Sequence, residues 1–306
     1  MSSIQSQPTP PSGTGPTPSG AIPTGNAAGP AVAILAVTVL SATPPLSKYI
    51  HVEGLALAAH RFGWLAIGLT VILYLRGGRL TRRALRLSWP AGLLFGANIA
   101  LFYTAVKLTT VANATVIGAI QPVMSLFVVG PLFGERVYRS DAAITGVAIA
   151  GVITVVYGSS ITPVWSPLGD FLALLAILFW TAYLVVTKRA RTELSALELQ
   201  TVLTIVAGIV VLPIALLSGQ SFAAPRADWL WLVALVIIPG AGHTLVNWAH
   251  AHTPLLLVSL LFLLNPVIAT TLAAMFLDEP VNGYQMAGMA AVLASLSVLV
   301  VRIQRR

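Results

Sequence analysis

Apolar residues run in long blocks, separated by short polar segments, from about residue 30 to residue 301. Stretches such as 202–217 and 255–264 do not alternate between apolar and polar positions. A membrane-crossing β-strand alternates over about ten residues, so these blocks predict helices. A helix needs about 20 residues to cross the hydrocarbon core. That length predicts ten spans, near 30–50, 54–75, 88–107, 110–133, 141–158, 168–188, 197–218, 228–250, 255–276 and 281–301. The expected architecture is all-α and integral to the membrane.

Composition agrees with the pattern. Lys, Arg, Asp and Glu make up 8% of the 306 residues, and hydrophobic residues 57%. A soluble domain carries roughly 25% charge, so a soluble enzyme, a disordered chain and a secreted disulfide scaffold are excluded. Cysteine is absent, which removes disulfides, thiolate zinc ligands and thiol nucleophiles. The net charge of +8 does not predict nucleic-acid binding, because the basic residues flank apolar runs. Residues 1–29 hold no charged side chain and are rich in Pro, Ser, Thr and Gly. They are expected to form a disordered cytoplasmic tail and lack the pattern of a secretory signal.

Lys and Arg also set the expected orientation. With the N-terminus inside, the inner segments hold 13 of the 17 basic residues and the outer loops hold Lys48, Lys107 and Arg226. Arg61 alone falls within a span. Both termini are therefore expected in the cytoplasm, with the chain in the cytoplasmic (inner) membrane.

An internal repeat organises the spans. Pro122 and Val123 correspond to Pro266 and Val267 at an offset of 144, as Glu135 does to Glu279. Gly146 pairs with Gly288, while Lys48 and Glu53 pair with Lys188 and Glu193 at an offset of 140. Two five-helix units are predicted, residues 30–158 and 168–302. Because five is odd, they enter the membrane from opposite sides, an inverted arrangement common in secondary transporters.

Several segments resemble the EamA-type proteins of the drug/metabolite transporter superfamily. They are 247–252 (Asn-Trp-Ala-His-Ala-His), Asn265-Pro266-Val267, Leu277-Asp278-Glu279-Pro280, Gln285 and Gly288. The first half carries Gln121-Pro122-Val123, Gly134-Glu135 and Gly146, and the second span carries His60-Arg61-Phe62. The resemblance covers about residues 30–302. It implies ten helices in two halves, a central substrate cavity and alternating access, but not one substrate.

Polar groups at membrane depth are costly and point to function. Arg61 could hold a substrate carboxylate, or bind helix-end carbonyls or snorkel outward. Gln121 and Asn265 sit beside Pro122 and Pro266, each of which frees a carbonyl one turn earlier. These amides could bind a polar ligand from both halves, or repair their own broken helices. Trp180 is a candidate cavity wall, whereas Tyr183 suits either a cavity or an interfacial belt. Asn98 is more central than Tyr103. His243 and Asn247, at i and i+4, share a face and could meet the substrate or a neighbouring helix. Pro44-Pro45 interrupts the first span, and Lys48 faces that opening or marks the interface. Glu135 and Glu279 are expected to favour the N-terminus of the helix that follows each. The histidine spacings suit no metal set.

No acid is expected near mid-bilayer, so any proton coupling would fall to His60 or His243. No phosphate-binding glycine loop occurs. The expected function is secondary transport, with export, of small polar metabolites such as amino acids. The alternative is a membrane enzyme acting on lipid. No cofactor, catalytic residue or nucleic-acid partner is expected. The partners are a small-molecule substrate and the bilayer, and a homodimer is compatible with the chain.

Overall fold

The computed structural model describes residues 28–47, 49–109, 116–136, 138–158, 166–276 and 280–304. Among them, ten helical spans are long and apolar enough to cross a membrane. They are α1 (Ala28–Ser47), α2 (Gly54–Leu75), α3 (Arg82–Ala105), α4 (Val116–Phe133), α5 (Arg139–Gly158), α6 (Pro167–Ala190), α7 (Ala196–Leu217), α8 (Arg226–His250), α9 (Leu255–Phe276) and α10 (Gly283–Arg302). There is no strand among the described residues. Most of the expected tail lies outside them, and α1 starts at Ala28.

Hydropathy alone misplaces the start of α3. The helix begins at Arg82 rather than near 88, because Thr81 Oγ1 accepts the Ala84 amide at 3.0 Å and closes the first turn. A basic first turn is invisible to a ruler that reads only apolar residues. At the other end of α4, Gly134 takes φ +64 and caps the helix in a left-handed conformation.

Three spans are broken, each for want of a proline N–H. Helix α1 ends its first segment at Leu40 and resumes over Thr43–Ser47, so Pro44 and Pro45 lie just inside the second piece. In α9 the helix breaks at Phe262 and Leu263, one turn before Pro266. The Asn265 amide then donates to the Phe262 carbonyl at 3.0 Å. In α4 the break falls at Ala119 and Ile120, one turn before Pro122, and there too short i→i+3 bonds tighten the chain. The α4 and α9 breaks are equivalent in the repeat.

The main packing obeys the exchange of halves, except that α3–α7 outweighs its counterpart α2–α8. The main partners are α3 with α6 and α7, α1 with α8, α2 with α7, and α5 with α10. Swapping each helix of the first unit for its equivalent turns α1–α8 into α6–α3 and maps α2–α7 and α5–α10 onto themselves. The ten spans therefore form two inverted five-helix repeats. Small residues allow the backbones to approach, as expected where lipid supplies no hydrophobic drive between helices. On α3, a Cβ on Gly96 would lie 2.9 Å from Val210 of α7. Its equivalent on α8, Gly240, would put one 2.5 Å from Leu65 of α2. At the α5–α10 crossing a Cβ on Gly151 would meet the Gly288 carbonyl oxygen at 2.8 Å, and one on Gly288 would meet that of Gly151 at 2.5 Å.

Backbone on backbone leaves no side chain that can yield. Gly288→Val should therefore lower the detergent melting temperature markedly, at a cost of about 1–3 kcal/mol or more. Gly146→Ala, with nothing within 4 Å of the added Cβ, should leave it unchanged or slightly raised. Equal melting of Gly288→Val and the parent would remove the crossing as a packing constraint.

Candidate functional site

The centre of the bundle is aromatic. Phe95 of α3 stacks on Tyr183 of α6 at 4.9 Å and meets the His243 ring of α8 edge-on at 4.8 Å. Trp180 lies 5.1 Å from Tyr183, 6.2 Å from His243 and 5.3 Å from Phe262, the last edge-on. Phe262 comes from the break in α9. Four spans thus meet in one ring cluster, held by edge and offset contacts that favour a defined geometry. Tyr183 is fully buried in it, so it belongs to this cluster rather than to an interfacial belt. Phe95 and Phe262 were not singled out from the sequence, since each looks like any other core aromatic there.

Arg61 lies beside the cluster. It follows the pattern of α2, whose buried face carries Leu57, Ala58, Arg61, Phe62 and Leu65. The Phe62 ring meets Phe95 at 5.4 Å, which brings α2 against the cluster. Arg61 interacts electrostatically with Tyr103, Tyr183 and His243. It is 7% exposed, its Nε has no hydrogen-bond partner, and no ion pair among the described residues involves it. A guanidinium needs its donors matched when water is removed. Carbonyl binding at a helix end does not account for that Nε.

The other candidates divide between this centre and the helix seams. Trp180 and His243 are in the cluster, with Trp180 half-buried and His243 buried. Asn98 Nδ2 donates to the Ala176 carbonyl at 2.8 Å and straps α3 to α6. Tyr103, expected to be the less central of the two, is the one in electrostatic reach of Arg61. Asn247 Nδ2 donates to Gln200 Oε1, and Gln200 Nε2 donates to Thr204 Oγ1 at 3.1 Å. That buried chain joins α8 to α7. Gln121 Nε2 donates to Ser125 Oγ at 2.8 Å and Ser259 Oγ at 3.2 Å. It therefore ties α4 to α9 instead of repairing its own broken helix. Asn265 is half-buried at the start of the second α9 segment.

His60 Nε2 lies 2.9 Å from the Phe222 carbonyl, so the ring anchors the α7–α8 connection. His252 stacks on Trp248 at 3.9 Å and bonds its carbonyl at 2.9 Å. The described acids all sit at helix ends or in the connections between helices. Glu198 forms a capping box with Ser195, Asp170 accepts from Thr109 Oγ1 at 2.7 Å, and Asp228 accepts the His51 amide at 2.7 Å.

Glu135 departs from its expected role. It does not serve the helix that follows it. Its carboxylate accepts the Leu255 and Leu256 amides at 2.7 and 3.1 Å, capping α9 of the other repeat, and lies 3.4 Å from Lys188 Nζ. The sequence offered a local helix start nearby, and the repeat's crossing brought a closer one. Its equivalents Glu279 and Lys48 lie outside the described residues.

A cleft of about 400 Å³ between α3, α6 and α7 is lined by Ala97, Leu101, Phe179 and Val210 among others. Its one hydroxyl, Thr104, already donates to the Ala100 carbonyl at 2.8 Å, so nothing there can orient a polar solute. The aromatic centre, by contrast, holds the buried polar groups of Arg61 and His243.

Comparison with known proteins shows the family. A region of 79 residues is 38% identical to a protein of Streptantibioticus cattleyicolor named a probable terminal-alkyne amino-acid exporter. That region covers 25% of this chain and 27% of the relative, so the chain matches about a quarter of that protein's length. A solved crystal structure superposes with a TM-score of 0.79 over 92% of this chain and 100% of its own, at 19% identity, which speaks to fold alone. The model of the EamA-like transporter family matches twice, over residues 27–157 and 167–301, once for each repeat. The chain belongs to the EamA-like transporter family.

Proposed function

We propose that the protein is a secondary exporter of small amino-acid-like carboxylates across the cytoplasmic membrane, working by alternating access. The observation that carries this reading is buried Arg61 beside the aromatic cluster, its Nε without a hydrogen-bond partner among the described residues. A guanidinium with free donors accepts a carboxylate through two parallel bonds. Trp180, Phe95 and Phe262 then offer ring faces to the rest of the solute, where an ammonium or an unsaturated side chain is favoured. His243, edge-on to Phe95, adds a polar group to the cluster. The name of the Streptantibioticus cattleyicolor relative supports both an amino-acid cargo and the outward direction. The distribution of basic residues supports cytoplasmic termini. On this reading the protein performs no enzymatic step, and Asn98, Gln121 and Asn247 hold the walls of the cavity in register.

Counterflow of radiolabelled α-amino acids in proteoliposomes tests the assignment. Arg61→Gln should raise the KM at least about tenfold, as expected for loss of a charge-assisted contact. Asn98→Ala should instead lower the melting temperature, by about 0.5–1.5 kcal/mol of stability, with unchanged substrate preference, because it removes the bond that straps α3 to α6. Unaltered KM in Arg61→Gln, or lipid turnover by protein that moves no solute, would defeat the proposal.

A further inference from the structure

A second set of buried polar groups extends from the central site along α6 and α8 to the turn after α8. Eleven buried side-chain atoms among the described residues lack a hydrogen-bond partner within the fold, and seven of them belong to α6, α8 or the turn after α8. They include Asn247 Oδ1, both ring nitrogens of His250, Thr253 Oγ1 and the Tyr183 and Thr187 hydroxyls. Natural proteins satisfy nearly all such atoms, so a cluster in one seam calls for a ligand, water or a second conformation. The two helices run parallel there. They meet at the Trp180–His243 ring contact and again where Arg191 Nε donates to the Asn247 carbonyl at 2.7 Å.

A compact lock closes the far end. Lys188 Nζ donates to the Thr253 carbonyl at 2.8 Å and lies 3.4 Å from Glu135, whose carboxylate caps α9. Both side chains are about nine-tenths buried. Four elements are thus tied at one point: the C-terminal ends of α4 and α6, the α8–α9 turn and the start of α9. A buried ion pair adds little net stability compared with an apolar contact, yet losing one partner is costly. Such a pair suits a joint with two states better than a permanent weld.

We propose that the α6–α8 seam, from Trp180 and His243 to His250 and Thr253, is the half of the solute route that opens on the Glu135 face. The Glu135–Lys188 pair latches it shut in this conformation. Opening the latch separates α6 from α8 and hydrates the unbonded groups of the seam, which then receive the solute's polar head. The inference rests on the alternating-access reading above, and its test needs no substrate.

The chain has no cysteine, so single thiols can be placed without background. Thr187→Cys and His250→Cys would be exposed to a sulfonated thiosulfonate reagent on the Glu135 face of membrane vesicles. Both should react slowly with the latch intact and about tenfold or more faster in Glu135→Gln or Lys188→Met backgrounds, as a shifted two-state population requires. Lys188→Met keeps the α9 cap and so guards against a folding defect in Glu135→Gln. Leu178→Cys, on the exposed face of α6, should stay unreactive in every background. Fast labelling with the latch intact, or rates unmoved by both substitutions, overturns the inference whatever the flux. Latch-dependent labelling supports it even in protein that fails to move amino acids.

Discussion

Lipid offers no hydrogen bonds, and every buried backbone or side-chain polar group must find its partner within the protein. The breaks in α1, α4 and α9 are affordable only because other spans surround them. Gln121 and Ser259 join α4 and α9 beside their breaks, and Glu135 takes the free amides at the start of α9. The same rule makes the exceptions informative. Where a buried donor has no partner, as at Arg61, the missing partner is best sought in the cargo.

The inverted repeat turns this constraint into a mechanism. Contacts that map onto themselves, α2–α7 and α5–α10, can act as axes, because the exchange of halves leaves them in place. Contacts that change partners, α1–α8 and α3–α6, lie on opposite sides of the centre. In a chain built this way, one side can be tight while the other is loose, and inversion of the two conditions costs little. The Glu135–Lys188 joint ties the ends of α4 and α6 to the start of α9. It links the repeats to each other rather than helices within one repeat.

Much of this was legible in the residues. Ten apolar blocks gave ten spans, and the offset of 144 between Pro122 and Pro266 announced two breaks that the backbone carries. Hydropathy failed where the chain leaves the hydrocarbon: the start of α3 depends on the Thr81 cap. Side-chain partners were the least legible. Depth ranked Asn98 as more central than Tyr103, but which of them approaches Arg61 depends on how α3 rotates against α2 and α6. Glu135 sits next to a helix start in sequence but bonds one 120 residues away. Phe95 and Phe262 carry no signal at all until four helices converge on them.

The central claim is that Arg61 awaits a carboxylate. The most direct measurement compares an α-amino acid with its primary amide as competitors for counterflow in proteoliposomes. The two have nearly the same shape and differ in the charge presented to the guanidinium. The amide should compete at least about tenfold more weakly, as when a charged hydrogen-bond partner is lost. This difference should vanish in Arg61→Gln. Equal competition by acid and amide in the native chain would remove Arg61 as the carboxylate's partner.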